Sequence, residues 1–427
     1  MPQRFWVETL GCPKNQVDSE KLVGQFVADG LTEAQCPEDA DLVVVNTCAF
    51  IEPARQESIE TILALSDARR EGARLVVTGC LAQRYGDELA EALPEIDAVA
   101  GFGRVPVMLS PGRGGPSVPP RLGGMDLLDL PRPPARAPWA YVKVAEGCDR
   151  RCGFCAIPSF RGPQRSRSID DIVAEVESLG VREVVLVAQD LASFGRDQGK
   201  GERAIVPLVR AVAERVDWVR LLYLYPSELS DELVAAVLDT GVPYFDLSLQ
   251  HVSAPLLRRM RRWGDAERFV ARIAEIRSAE PEAVFRSNFI VGYPGETEED
   301  HDQLLEFLRE VRLDWCGFFA YSEEPGTFAE TLEPKVPTEL VTERLAELSE
   351  LQDEISRSKR DELVGSTVTA LVDGPGRARS HREAPEIDGV IEVPDWVETG
   401  SFVEVRITAA VGPDLIGIPT GAAGGLQ

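Results

Sequence analysis

The sequence predicts an α/β protein in three parts: an N-terminal open parallel sheet, a central partial (βα)6 barrel and a small C-terminal antiparallel β-barrel. Residues 1 to about 105 and 139 to 337 alternate short apolar strands with helical stretches, the pattern of parallel sheets. Residues 364–427 switch to β character separated by Gly and Pro turns, which fits a small barrel. Between them, residues 110–138 are dense in Pro and Gly and lack periodicity, as a surface linker would be. The expected parts are therefore 1–109, 110–138, 139–362 and 363–427 of a 427-residue chain, long enough for three cores.

In the first part the expected strands are Phe5–Leu10, Leu42–Val45, Leu75–Val77 and Ala98–Ala100, with helices beginning near Asn15, Pro53 and Ala82. Cys12, Cys48 and Cys80 each follow the carboxyl end of one of the first three strands. Neighbouring parallel strands share that edge, where ligands bind, so thiols more than thirty residues apart can converge there. Three such thiolates suit an iron–sulfur cluster better than a core, whose cysteines would sit within strands. Cys36 and Cys316 are left over and read as small hydrophobes.

In the central part six strands are expected: Ala140–Val144, Glu183–Ala188, Trp218–Tyr223, Phe245–Leu249, Phe285–Ile290 and Cys316–Ala320. Helices are expected at Ile169–Leu179, Ile205–Glu214, Glu228–Asp239, Ala266–Ala279 and Glu298–Val311. Barrel function gathers at the carboxyl ends of strands, which here carry Gln189, Asp190, Ser248, Gln250, His251, Asn288 and Gly292. His251 reads equally as a satisfied structural histidine, and Thr297 as a helix cap. Arg258, Arg259, Arg261 and Arg262 form a basic run, read first as a solvated face. A long polar helix, Thr338 to Leu363, leads to the last part.

Just past the first of these strands lies YVKVAEGCDRRCGFCAIPSFRGPQRSR, Tyr141 to Arg167, holding Cys148, Cys152 and Cys155 with Phe154 before the last. Three thiolates in one loop can hold three irons of a cubic 4Fe-4S cluster and leave the fourth iron open. A structural zinc site wants four closed ligands and a catalytic one usually includes His; no His precedes residue 251. Zinc and unliganded thiols remain the alternatives at this point. Eight cysteines in so long a chain do not make a disulfide framework, and a reducing compartment fits them better. No apolar run is long enough to span a membrane, and the N-terminus leads directly into a strand pattern without a signal peptide. The net charge of −26 disfavours an extended nucleic-acid surface and suits a basic partner. In the last part four basic residues face nine acidic ones, with Glu386, Asp388 and Glu392 as candidates for meeting that partner.

The C-x3-C-x2-C loop with its aromatic residue resembles that of the radical S-adenosylmethionine (AdoMet) superfamily. The longer CDRRCGFCAIPSFRGPQRSR and the N-terminal LGCPKNQVDSE are similar to the methylthiotransferases of the RimO type, and SHREAPEIDG to their closing TRAM domain. The resemblance implies that AdoMet chelates the open iron at Cys148, Cys152 and Cys155, and that one-electron reduction there releases a 5′-deoxyadenosyl radical. It implies a second, auxiliary 4Fe-4S cluster on Cys12, Cys48 and Cys80 that carries the sulfur. Phe154, Gln189, Ser248, Asn288 and Gly292 are the expected contacts to AdoMet or substrate. The implied reaction places a methylthio group on the β-carbon of an aspartate in ribosomal protein S-twelve of the small subunit. The implied setting is cytoplasmic, with a flavodoxin- or ferredoxin-like electron donor, no membrane and no nucleic-acid substrate. The alternatives are a tRNA-adenosine methylthiotransferase and a non-catalytic metal-bearing ribosome-binding protein.

Overall fold

The computed structural model describes residues 3–102, 126–199 and 203–420. The N-terminal sheet contains β1 (Arg4–Thr9), β2 (Thr32–Glu33), β3 (Leu42–Thr47), β4 (Arg74–Thr78) and β5 (Ala98–Ala100). Its order is β2-β1-β3-β4-β5, and every pairing is parallel. Helices α1 (Pro13–Ala28), α2 (Glu52–Ala68) and α3 (Gly79–Ala92) make the crossovers. The strand LVVVNT of β3 is buried throughout, as a parallel strand covered on both faces must be.

Part of the expected linker, residues 110–125, lies outside the described residues. In its described part Leu127 and Leu130 are buried against the first sheet with Phe5, Leu22 and Phe26, and Leu128 is buried as well, while Pro131, Pro134 and Arg136 stay exposed. Three leucines among the prolines supply apolar area worth burying. The approach is close enough that a Cβ on Gly24 would stand 2.3 Å from the Pro131 carbonyl oxygen.

The central sheet begins with β6 (Trp139–Lys143); the short β7 (Ala145–Glu146) and β8 (Arg165–Ser166) then pair antiparallel to clasp the cysteine loop, with α4 (Ile157–Arg161) between them. After α5 (Ile169–Leu179) the remaining strands are β9 (Glu183–Val187), β10 (Trp218–Leu224), β11 (Tyr244–Gln250), β12 (Val284–Val291) and β13 (Trp315–Ala320). They pair in parallel in chain order, β13-β12-β11-β10-β9-β6, so the barrel stays open between its edge strands. The helices α6 (Ile205–Ala213), α7 (Asp231–Leu238), α8 (Ala254–Arg259), α9 (Ala266–Ala279) and α10 (Glu298–Val311) follow in order. Helix α8, capped by Ser253, was not expected from the sequence.

Helix α11 (Thr338–Asp361) leads to a closed ring of β14 (Thr367–Gly374), β15 (Arg377–Arg379), β16 (Ile391–Glu392), β18 (Asp414–Pro419) and β17 (Phe402–Val411). Four seams are antiparallel and one, β16 against β18, is parallel. Parity requires this, because five strands in a closed ring cannot all alternate direction.

The two smaller parts close the open barrel from opposite ends. Val17 of α1 lies in one apolar cluster with the lumen residues Tyr141, Val185, Val187, Leu222 and Tyr244 and with Ala384. At the amino ends of the strands, the segment 380–388 seats against the sheet. The Tyr141 hydroxyl donates to the Pro385 carbonyl (2.8 Å), the Tyr244 hydroxyl to Asp388 Oδ2 (2.6 Å) and Trp315 Nε1 to the Arg382 carbonyl (2.8 Å). Asp388 is therefore no surface charge for a partner: its carboxylate is fully buried and also takes Arg286 at 2.6 Å. Glu183, fully buried, receives Arg220 Nε and Arg379 Nη1, each at 2.8 Å, and so joins the C-terminal ring to the central sheet. Removing one partner of such a pair costs about 3–5 kcal/mol because a buried charge is left behind. Glu183→Ala should lower stability by that amount in denaturant melts, while exposed Glu398→Ala changes it by less than about 0.5 kcal/mol. Equal effects of the two would contradict this docking.

Candidate functional site

The loop after β6 is held on three sides. The Cys148 N–H donates to the Gly162 carbonyl at 3.0 Å, and the Gly153 N–H to the Met260 carbonyl at 2.8 Å. The Gly153 carbonyl in turn accepts from the Ala329 N–H at 2.8 Å. Gly147 (φ +79°) is obligatory, since a Cβ there would meet the Pro163 carbonyl oxygen at 2.1 Å. Burial pushes the Cys148 thiol up to about 11 and that of Cys155 to about 12. Such thiols ligate only by losing protons, so cluster binding here is coupled to proton release.

Cys12, Cys48 and Cys80 follow β1, β3 and β4, which are direct neighbours in the sheet. Cys12 is the N-cap of α1 and Cys80 lies in the first turn of α3. Asn15 ties two of these strand ends together, its Nδ2 donating to the Leu10 carbonyl at 2.9 Å and the Thr47 carbonyl at 3.0 Å. A Cβ on Gly11 would stand 2.9 Å from Cys48 Sγ, so the first two turns are in contact. Burial pushes Cys48 up to about 12, with the charges of Cys12 and Cys80 adding to it; that mutual repulsion marks the three as one group. At Cys12 burial acts upward too. The charges of Lys14 and Arg161 and the helix N–H groups of Asn15 and Lys14 outweigh it, and the thiol falls below its ordinary value.

One guanidinium ties the Cys12, Cys48 and Cys80 trio to the segment that carries the other. Arg161, six residues after Cys155, donates from Nη2 to Cys80 Sγ at 3.0 Å and to Asn15 Oδ1 at 2.8 Å. Its Nη1 donates to both oxygens of Glu146, at 2.8 and 2.9 Å. Glu146 also accepts from Lys143 at 2.6 Å and from Gln189 Nε2 at 2.8 Å, and Lys143 pairs with Asp18 of α1. Asn15, Asp18, Lys143, Glu146 and Arg161 are all buried. On the far side of the mouth Glu324 receives Arg55 of α2 (2.5 Å) and Arg84 of α3 (2.7 Å). The N-terminal sheet thus spans the barrel opening. Among the described residues no three His, Cys, Asp or Glu side chains are grouped to hold a single metal ion. A cubane takes one thiolate at each of three corners and needs them wider apart than one ion does.

The expected contact residues divide. Buried Gln189 Oε1 and Asn288 Oδ1 lack partners, which fits acceptors waiting for a ligand. Ser248 gives its carbonyl to Arg262. Phe154 packs on the main core. Gly292 has a structural reason of its own: its N–H donates to Glu296 at 2.6 Å, and a Cβ would strike Val341 of α11 at 2.4 Å. Cys36 and Cys316 are free thiols away from both trios, and burial raises Cys316 strongly. The basic run separates too. Arg258 is solvated and Arg259 binds the Pro294 and Glu333 carbonyls. Arg261 covers Phe328, whereas Arg262 turns into the site and donates to Cys152 Sγ at 3.4 Å. Arg262 and Arg150 each lie over the Tyr225 ring, at 4.0 and 3.9 Å, and Arg150 pairs with Asp190 (2.5 Å) and Glu228 (3.0 Å). Sequence reasoning missed Arg150, Arg161, Glu146 and Lys143; the density of arginine around the cysteines in so acidic a chain was the available signal.

Three segments match known families: residues 4–101 the uncharacterized protein family UPF0004, residues 142–308 the radical SAM superfamily, and residues 364–419 the TRAM domain. In fold the chain is similar to the radical S-adenosylmethionine methyltransferase TsrM from Kitasatospora setae. The TM-score is 0.50 at 16% identity, over 93% of this chain and 83% of that one. Together these define a radical SAM enzyme. In sequence the chain is 44% identical to the ribosomal protein uS12 methylthiotransferase RimO of Moorella thermoacetica, covering 95% of this chain and 96% of the relative. It is 41% identical to that of Thermotoga maritima, covering 95% and 97%. The chain belongs to the RimO methylthiotransferase family.

His251 is the satisfied structural residue: it is buried, and its Nδ1 accepts from the Ser253 N–H at 3.0 Å. Burial lowers its pKa from 6.5 to about 4, with Asp300 acting upward. Between these values the unfolded chain holds a proton that the folded one does not, so stability falls as pH drops through that window. His251→Asn, which keeps an acceptor, should flatten the pH–stability curve there by about one proton in urea melts. An unchanged slope would contradict the assignment.

Proposed function

We propose that this enzyme transfers a methylthio group to the β-carbon of an aspartate in ribosomal protein uS12, the small-subunit protein expected from the sequence. The observation that carries the reading is that Arg161, six residues after Cys155, donates to Cys80 Sγ, so the segment bearing one thiol trio packs on the strand ends that bear the other. When bound, a 4Fe-4S cluster and AdoMet would supply one-electron chemistry able to open an unactivated C–H bond, which no acid–base side chain reaches.

The chain's own residues bind, orient and exclude water. Cys148, Cys152 and Cys155 are the proposed ligands of the cluster that takes AdoMet, and Cys12, Cys48 and Cys80 those of an auxiliary sulfur-carrying cluster. Gln189 and Asn288 each keep a buried side-chain oxygen without a partner, able to accept from an ammonium or a hydroxyl. Ser248, Phe154 and Gly292 complete the proposed lining by position. The stacked Arg150, Tyr225 and Arg262 form a rigid cationic wall next to Cys152. Helix α1 above and segment 380–388 below close the lumen, so a side chain reaching the mouth enters a largely dry site. A flavodoxin- or ferredoxin-like donor and a cytoplasmic setting accompany the reading. No helix among the described residues is long and apolar enough to cross a membrane. The acidic C-terminal ring offers phosphates little to bind, which disfavours a tRNA substrate.

The test is the mass of uS12 and the nucleoside content of tRNA in cells with and without the gene. Loss of a methylthio mass from uS12 alone is expected. Unchanged uS12 with loss of methylthioadenosine from tRNA would overturn the proposal.

A further inference from the structure

Buried cations around the mouth are matched by carboxylates. Lys143 has Asp18 and Glu146, Lys21 has Glu175, Arg161 has Glu146, and Arg150 has Asp190 and Glu228. Arg262, without a carboxylate, donates to the Ser248 carbonyl and to Cys152. Lys14 is different. It is only 8% exposed, and among the described residues no hydrogen bond or carboxylate ion pair engages its ammonium, whose charge acts on the Cys12 thiol and on Asp246. It lies over the face of Tyr223, 3.5 Å from the ring centroid. The Cys12 thiol and Asp246 balance its charge, but its N–H donors are left without an acceptor, so they are available to a group that enters beside them.

Its position bears on what that group is. Lys14 is two residues from Cys12, in a first turn of α1 that carries no acidic residue. Tyr223 stands at the carboxyl end of β10 with φ +65°, where the pairing of β10 with β11 slips register between Leu221 and Leu224. A bulky residue with positive φ is a strained outlier, held here by the Tyr223 N–H donating to Asp246 Oδ2 at 2.9 Å. That bond and the 3.9 Å approach of Arg286 engage Asp246, which makes no ion pair with Lys14. The strained ring carries the free ammonium at the rim of the lumen, between the Cys12 turn and the strand ends of the central barrel.

We propose that Lys14, seated on Tyr223, receives the side-chain carboxylate of the substrate and is thus a specificity-determining residue for an acidic side chain. The inference rests on the reading of the substrate as an aspartate. A carboxylate on Lys14 sets the neighbouring methylene beside the Cys12, Cys48 and Cys80 trio, and an amide in its place forfeits the charge-assisted bond.

The test uses the anaerobically reconstituted full-length enzyme and two synthetic peptides of the uS12 loop, one with the aspartate and one with asparagine in its place. Binding is read by fluorescence anisotropy, and modification by mass. Wild type should bind the aspartate peptide about tenfold or more tighter than the asparagine peptide. Lys14→Met should bind both alike, at the asparagine level, while Lys14→Arg keeps the preference. A merely structural role would weaken both peptides equally and leave their ratio intact, and that result would overturn the proposal. So would a Lys14→Met enzyme that still prefers aspartate. A wild type that modifies the aspartate peptide without preferring it over asparagine would overturn Lys14 alone. A wild type that modifies neither peptide would overturn the functional reading and this inference with it.

Discussion

The chain of buried charges from Asp18 through Lys143 and Glu146 to Arg161 is the constraint on which the rest depends. Burying four ionised groups is expensive, and the arrangement holds only because each charge meets its opposite in good hydrogen-bonding geometry. Moving the N-terminal sheet relative to the barrel would leave at least one of them unpaired. The contribution of the chain is therefore less to stability than to register: it fixes where the Cys12 turn stands above the Cys148 loop. Arg161 completes this by touching Cys80 while belonging to the loop that carries Cys155.

From that constraint the role of the three parts follows. The edge strands β6 and β13 do not pair, so the lumen stays accessible from its side and ends. One end is filled by the segment 380–388, through Tyr141, Tyr244, Trp315 and the Glu183 pairs. The other is roofed by α1, which brings Cys12 and Lys14 at its amino end and Asp18 one turn further on. The ring that ends the chain thus serves as a plug for the barrel. Its acidic count is partly spent inside, since Asp388 and Glu383 are buried against Arg286 and Arg360.

Much of this was legible in the sequence because the signals were local. Apolar runs such as LVVVNT and EVVLV marked their strands to within two residues, and cysteines placed just past strand ends announced both trios. The two-residue edge strand Thr32–Glu33 was invisible, being exposed and too short to show a period. The Leu127–Leu130 stretch was hidden by the prolines around it. Through-space pairings were out of reach for a different reason. Lys143 and Asp18 are 125 positions apart, and Arg161 and Cys80 are 81 apart, so no spacing rule connects them. Asp388 shows the converse, a charge that composition assigned to the surface and topology placed in the core.

The central claim is that the two trios are independent cluster sites held face to face. Iron and acid-labile sulfide in the anaerobically reconstituted protein test it most directly, with reduced-state EPR on the same samples. The account predicts that wild type holds about twice the iron of either triple-alanine variant, of Cys12, Cys48 and Cys80 or of Cys148, Cys152 and Cys155. It also predicts a wild-type spectrum broadened by magnetic coupling that both variants lose. Equal iron in all three proteins, or a wild-type spectrum that is the plain sum of the two variants, would contradict it.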